Sequence, residues 1–192
     1  DYSIPNFVDD FTLVIASSYS GNTEETLFAI EKCQAKGAEI ACVTSGGKLA
    51  EIAKAKGYNF IQIPSEHPPR AMFGYSFTQL FFFFNHYGLI DNSFEHDFEK
   101  SIELLNKRKE HIQSEAQSLA DKIYQQTPVI YTAHGFEGVG VRFRQQVNEN
   151  SKMLCWNHVI PEMNHNELLG WRTNTDNLSL IHISEPTRQW SI

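Results

Sequence analysis

The chain has 192 residues, 41% of them hydrophobic and 12% aromatic, with a net charge of −7 at neutral pH. That apolar content supplies a packed core for one large domain or two small ones. The acidic balance, without a clustered basic face, excludes a nucleic-acid partner, but it leaves room for a phosphorylated small molecule held by a local positive field.

In chain order, an apolar run at 12–17 predicts a buried strand, followed by a helix over 23–36 that Gly37 stops. A second strand follows at 39–44, then a Ser45-Gly46-Gly47 turn, a helix over 48–56 closed by Gly57, and a third strand at 60–63. Strands alternating with helices of this length imply crossover connections and a parallel sheet. Ligands in such sheets bind beyond the carboxyl ends of the strands. The Phe-rich stretch 71–90 approaches the length of a membrane span. Gln79, Asn85 and His86 interrupt it and no basic flank accompanies it, so it reads as a deeply buried helix packing at a subunit interface, with no membrane contact.

After the polar break at 91–93, apolar residues at 98, 102, 105, 112, 116, 119 and 123 recur at helical steps. They predict one long amphipathic helix from about 95 to 124 that bridges two subdomains, its charges marking a solvated face. The pattern then restarts: a strand at 129–133, a turn at 134–138, a helix over 139–150, a strand at 153–156, and a helical segment from Pro161 through Leu169. The second half therefore reads as an incomplete copy of the first. The expected organisation is a first subdomain at 1–92, a bridging helix at 93–126, a second subdomain at 127–177 and a tail at 178–192 that is not native. The tail loses hydrophobic periodicity, and Leu180 through Arg188 looks like translated sequencing-adapter sequence, which removes His182, Glu185 and Arg188 from functional argument. Because the chain starts with Asp1 just ahead of a central-type strand, it is expected to be part of a longer protein. Three widely spaced cysteines, Cys33, Cys42 and Cys155, without a CxxC pair, point to a reduced, cytoplasmic compartment, with Cys33 and Cys42 as core fillers. No basic-then-apolar leader is visible.

The chemistry concentrates first at Ser18-Tyr19-Ser20-Gly21-Asn22-Thr23, where a buried strand ends in a hydroxyl-rich turn that opens a helix. The first amides of a helix lack internal partners and sit at the positive end of its dipole. Ser18, Ser20 and Thr23 add hydroxyls, and Gly21 admits close approach, so the turn suits a phosphate. It carries neither a Walker lysine nor a dinucleotide fingerprint. The turn at 134–138 lacks the pattern, so one phosphate site is expected. Arg70, behind Pro68 and Pro69, is held where it can face a developing negative charge. Glu149 falls at a helix end that disfavours carboxylates, a mismatch that hints at function; partial burial would raise its pKa toward that of a proton shuttle. His165 can protonate a ring oxygen. His158, His165 and Glu162 lack metal-ligand spacing, and no metal is assigned.

Ser18-x-Ser20-Gly21-Asn22-Thr23-x-Glu25-Thr26 resembles the phosphosugar-binding loop of the sugar isomerase (SIS) domain family. Pro68-Pro69-Arg70-Ala71, the run Gln146-Val147-Asn148-Glu149-Asn150-x-Lys152, and His165-Asn166-Glu167 sixteen residues after Glu149 narrow the resemblance to the bifunctional phosphoglucose/phosphomannose isomerases, over roughly 1–175. The resemblance implies an α/β fold of two SIS-type αβα subdomains with parallel sheets, the second incomplete, and a homodimer with a shared active site. It implies interconversion of glucose 6-phosphate and mannose 6-phosphate with fructose 6-phosphate, without a cofactor. Ser18, Ser20 and Thr23 would hold the phosphate, His165 from the partner subunit would open the ring, Glu149 would move the proton, and Arg70 would stabilise the cis-enediolate. The family's Gly-Gly-Ser loop and a downstream Lys are not in the chain. A SIS module that senses a phosphosugar without converting it, and a SIS isomerase for heptose or aminosugar phosphates, are the alternatives.

Overall fold

A computed structural model describes residues 2–172 and 178–183 of the chain. The chain divides into two compact units, Asp1–Lys100 and Ser101–Ile192.

In the first unit, β1 (Leu13–Ser17), β2 (Glu39–Thr44) and β3 (Asn59–Gln62) form a parallel sheet in the order β1-β2-β3. The register pairs Val14 with Ile40 and Cys42 with Phe60. Side chains alternate across β2 as strand geometry requires. Ile40 and Cys42 pack with Ile30 and Cys33 of α1 (Glu24–Ala35) and with Leu49 and Ala53 of α2 (Gly47–Lys56). Ala41 and Val43 face the other way, against Phe83 of α3 (Phe73–His86). The result is three layers, helix, sheet and helix, with every central position of β2 buried. Burial keeps the thiols of Cys33 and Cys42 protonated, Cys42 being pushed up to about 11, as expected of core fillers.

The Phe-rich helix departs from expectation. In this chain only Phe83 of α3 is buried, while Phe73 and Tyr75 are each 49% exposed. One edge does pack: Phe81 meets Phe94 at a tilt and Phe98 edge to face at the start of α4 (Ser93–Ile123), with ring centroids 5.9 and 5.1 Å apart. The long helix has its predicted span, and the division between the units falls inside it, between Lys100 and Ser101. Its apolar stripe is uncovered at Ile102, Leu105 and Ile112, all exposed. Periodicity reports which side of a helix is apolar, not what lies against it.

In the second unit, β4 (Thr127–Ala133) is central, flanked in parallel by β5 (Trp156–Ile160) and β6 (Leu178–Ile183). Alternation again builds two faces. Ile130 packs with Phe143 of α5 (Glu137–Gln146), Val147 and Cys155. Val129 and Tyr131 pack with Ile160, Met163 and Trp171 on the opposite side. Three sequence expectations shift here. The strand lies at 156–160 rather than 153–156, because Val129 pairs with Trp156 and Ala133 with Ile160; the polar pair Asn157-His158 hides it from an apolar scan. The helix expected through Asn150 ends at Gln146 and passes into a π-helical turn, Val147–Ser151. The segment after Pro161 keeps only one turn of helix, α6 (Met163–Asn166), followed by a 3-10 turn at Gly170–Arg172. Residues 178–183, within the stretch expected to be a tail that is not native, form β6 beside β4; the rest of that stretch lies outside the described residues.

Candidate functional site

The hydroxyl-rich turn lies at the carboxyl end of β1. Ser18 is buried, and its hydroxyl shares a 2.8 Å hydrogen bond with Thr23 Oγ1 while accepting the Gly21 amide at 3.2 Å. Ser20 Oγ is exposed and accepts the Asn22 amide at 3.2 Å. Thr23 stands at the N-cap of α1 in extended conformation, but its hydroxyl does not cap the helix. The leading amides of α1 are therefore left to an outside acceptor, which is what anion binding requires.

A second turn buttresses the first. Ser45 donates its amide (3.0 Å) and hydroxyl (2.6 Å) to the Tyr19 carbonyl, the Lys48 amide donates to Asn22 Oδ1 (3.1 Å), and the Leu49 amide donates to the Gly21 carbonyl (2.9 Å). Gly21 has φ +66°, and a Cβ there would run into the Gly46 carbonyl and stand 2.8 Å from Thr44 Oγ1. Two turns from successive strands are thus locked backbone to backbone.

Arg70 is exposed, in a 3-10 turn at Pro69–Ala71. Its loop is tied to the hydroxyl-rich turn, since the His67 amide donates to the Tyr19 hydroxyl at 3.0 Å. The first unit therefore brings the loop of Arg70 to the hydroxyl turn, a link the sequence did not reveal.

Glu149 and His165 belong to the second unit. Glu149 sits in the π-helical turn, a feature often found at functional sites. It lines a concavity of about 700 Å³ with Arg142, Arg144, Asn148 and Trp156. The partial burial expected of it is not found: Glu149 is exposed in this chain. His165 is exposed on α6. The sequence reading missed a neighbouring network, in which Glu167 lies 2.7 Å from His158 Nδ1 and accepts the Tyr131 hydroxyl at 2.9 Å. Its only signal in the sequence was Glu167 itself, two residues past His165.

The corresponding turn of the second unit, after β4, is already filled by a carboxylate. Glu137 accepts the Gly135 amide at 2.9 Å and pairs with His134 at 3.1 Å; its hydrogen bonds with backbone amides hold its carboxyl below the usual range. A ligand phosphate would meet negative charge there. Among the described residues no cluster of His, Cys, Asp or Glu could hold a metal, and no helix is long and apolar enough to cross a membrane.

Two parallel α/β units, the first with a hydroxyl-rich turn at the end of its first strand, give the chain a SIS-type fold. Residues 112–190 match the family described as bacterial phospho-glucose isomerase C-terminal SIS domain. The chain is 41% identical over 191 residues to the bifunctional phosphoglucose/phosphomannose isomerase of Caldicellulosiruptor bescii, covering 95% of this chain and 56% of that protein. It is also 35% identical to the D-glucosamine-6-phosphate 4-epimerase of Sulfolobus acidocaldarius, covering 84% of this chain and 51% of that protein. The chain thus spans about half the length of the curated relatives it matches. The solved tagatose-6-phosphate ketose/aldose isomerase of Escherichia coli shares the fold, with a TM-score of 0.63 at 15% identity, covering 92% of this chain and 50% of that one. The chain is a relative of the bifunctional phosphoglucose/phosphomannose isomerases, as the motifs around Ser18, Glu149 and His165 implied.

Proposed function

We propose that the protein is an aldose–ketose isomerase that interconverts glucose 6-phosphate and mannose 6-phosphate with fructose 6-phosphate. The observation that carries the reading is the uncapped start of α1 beside the Ser18–Thr23 hydroxyl pair, a built seat for a phosphate monoester. The 41% identity to an enzyme named for both activities supports the sugar.

Ser18, Ser20 and Thr23 hold the phosphate. His165 donates a proton to the ring oxygen and opens the cyclic sugar. Glu149 then takes the C2 proton and returns it to C1, and the reverse path gives the aldose. Because fructose 6-phosphate is prochiral at C2, returning the proton to either face of one planar enediolate yields glucose or mannose stereochemistry. Arg70 stabilises the enediolate oxygen. Ring opening breaks the ring C–O bond as the ring oxygen gains a proton and the anomeric hydroxyl loses one to become the carbonyl; the remaining steps move protons between C1 and C2 and between their oxygens, so no net redox change occurs and no cofactor enters the scheme. A cytoplasmic homodimer, with His165 completing the partner's site, belongs to the same proposal.

Proton NMR of the protein with each of the three hexose phosphates tests it, with conversion of glucose and mannose 6-phosphates to fructose 6-phosphate as the expected result. The similarity to a glucosamine-6-phosphate 4-epimerase favours one second reading. Epimerisation of glucosamine 6-phosphate, with no conversion of the neutral sugars, would replace the proposal by that reading, and binding without turnover would make the protein a sensor.

A further inference from the structure

Helix α6 spans only four residues, Met163–Asn166, too few for a helix to persist on its own hydrogen bonds. Two anchors one turn apart hold it. Met163, at its start, is buried against Val129 and Tyr131 of β4. Glu167, at its end, lies with Oε1 2.7 Å from His158 Nδ1 of β5 and with Oε2 accepting the Tyr131 hydroxyl at 2.9 Å. Tyr131 in turn accepts the Trp171 indole N–H at 2.8 Å. Donors and acceptors alternate through the chain: indole to phenol, phenol to carboxylate, imidazole to the same carboxylate. Burial, reinforced by Glu167, pushes the Tyr131 phenol up to about 12, which keeps it a donor at neutral pH.

Positions 163 and 167 share one helix face, whereas position 165 is about 200° round from 163. Fixing the first two side chains toward the sheet therefore fixes the third outward, and His165 is exposed. We propose that Glu167, clamped by Tyr131 and His158, is a positioning residue that fixes α6 and so sets the aim of His165; this rests on the reading of His165 as the ring-opening acid. Glu167 itself does not touch the sugar. It removes the freedom of a one-turn helix that would otherwise cost the acid its geometry.

Two measurements test the clamp. Glu167→Ala should raise hydrogen exchange across residues 161–170 and leave that of β4 unchanged; Tyr131→Phe, which keeps the ring, should act in the same direction and covers the case in which the alanine variant folds poorly. Unchanged exchange in both variants overturns the proposal whatever His165 does. In turnover of glucose 6-phosphate, Glu167→Ala should lower kcat about 10- to 100-fold with KM little changed, as the phosphate grip is in the first unit. The double variant Glu167→Ala/His165→Asn should be no slower than His165→Asn alone, because a residue that acts through another adds no separate loss. Multiplying losses overturn the positioning role. Full activity of His165→Asn instead refutes the ring-opening reading, and the exchange experiment then decides the clamp by itself.

Discussion

Replacing Gly21 by alanine puts the construction of the phosphate turn to a quantitative test. Gly21 has φ +66°, and its added methyl would overlap the Gly46 carbonyl and stand 2.8 Å from Thr44 Oγ1. The left-handed conformation alone costs an alanine ~1–2 kcal/mol. Crowding a packed site costs a further ~1–3 kcal/mol, so the total is about 2–5 kcal/mol. Gly57 is the internal control: it has φ +71° with nothing within 4 Å of the place its methyl would occupy, so Gly57→Ala carries the strain without the collision. To relieve the overlap, the turn must swing away from residues 44–48. That movement strains the Leu49 amide bond to the Gly21 carbonyl (2.9 Å) and the Gly21 amide bond to Ser18 Oγ (3.2 Å). A turn displaced in this way no longer presents its amides and hydroxyls together to a phosphate. Urea unfolding of both variants, with calorimetric titration of glucose 6-phosphate, reads both effects. At a slope of ~1–3 kcal/mol per molar, the Gly21→Ala midpoint should fall by about 0.7 M or more and sugar-phosphate affinity should collapse. Gly57→Ala should show the smaller loss and bind normally. Equal midpoints for the two variants, with affinity intact, would show that backbone-to-backbone packing of the two turns does not hold the site.

Three further outcomes follow from the same structure. Thr23→Val keeps the side-chain shape but removes the hydroxyl that pairs with Ser18; phosphosugar affinity should drop roughly 10-fold, the worth of a hydrogen bond to a charged group, and unchanged affinity by titration counts against the cradle. Glu149→Gln should reduce turnover by about 10³-fold or more, a base's share of the barrier, with binding retained; near-normal kcat by NMR removes Glu149 from the proton path. Stability should also depend on pH through Cys42, whose thiol is raised from 9.0 to about 11 by burial. The native state favours the protonated thiol, so this stabilisation is intact below pH 9 and is lost as pH rises toward 11. Urea midpoints should fall across that window, and Cys42→Ala should flatten the fall; an identical slope in the variant places the effect elsewhere.

The chemistry-bearing residue types were visible in the sequence because phosphate and proton chemistry needs local patterns. A strand running into Ser18-x-Ser20-Gly21-x-Thr23 specifies a hydroxyl-rich turn within six residues, and the structure sets that turn at the end of β1. The first parallel αβα unit was visible too, since the expected strands at 12–17, 39–44 and 60–63 with helices between them leave few other topologies, and the structure places them at 13–17, 39–44 and 59–62. Partners across space were not visible. The hydrogen bond from His67 to Tyr19 spans 48 positions, and Tyr131 meets Glu167 across 36. Nothing in either local stretch announces the other.

Strand β5 shows the same division at the level of an element. An apolar scan selects 153–156, but pairing with β4 recruits Trp156–Ile160, polar Asn157 and His158 included, because a central strand offers backbone hydrogen bonds along its whole edge. The Phe-rich helix is the converse: its apolar character is written in its residues, yet of its side chains only Phe83 is buried in this chain. Local order, periodicity and the identity of reactive groups are properties of neighbours along the chain, and the sequence by itself determined them. Register, burial and the clamp on α6 depend on which distant segments come together, a choice made by the whole folded unit, and only the tertiary structure decided them.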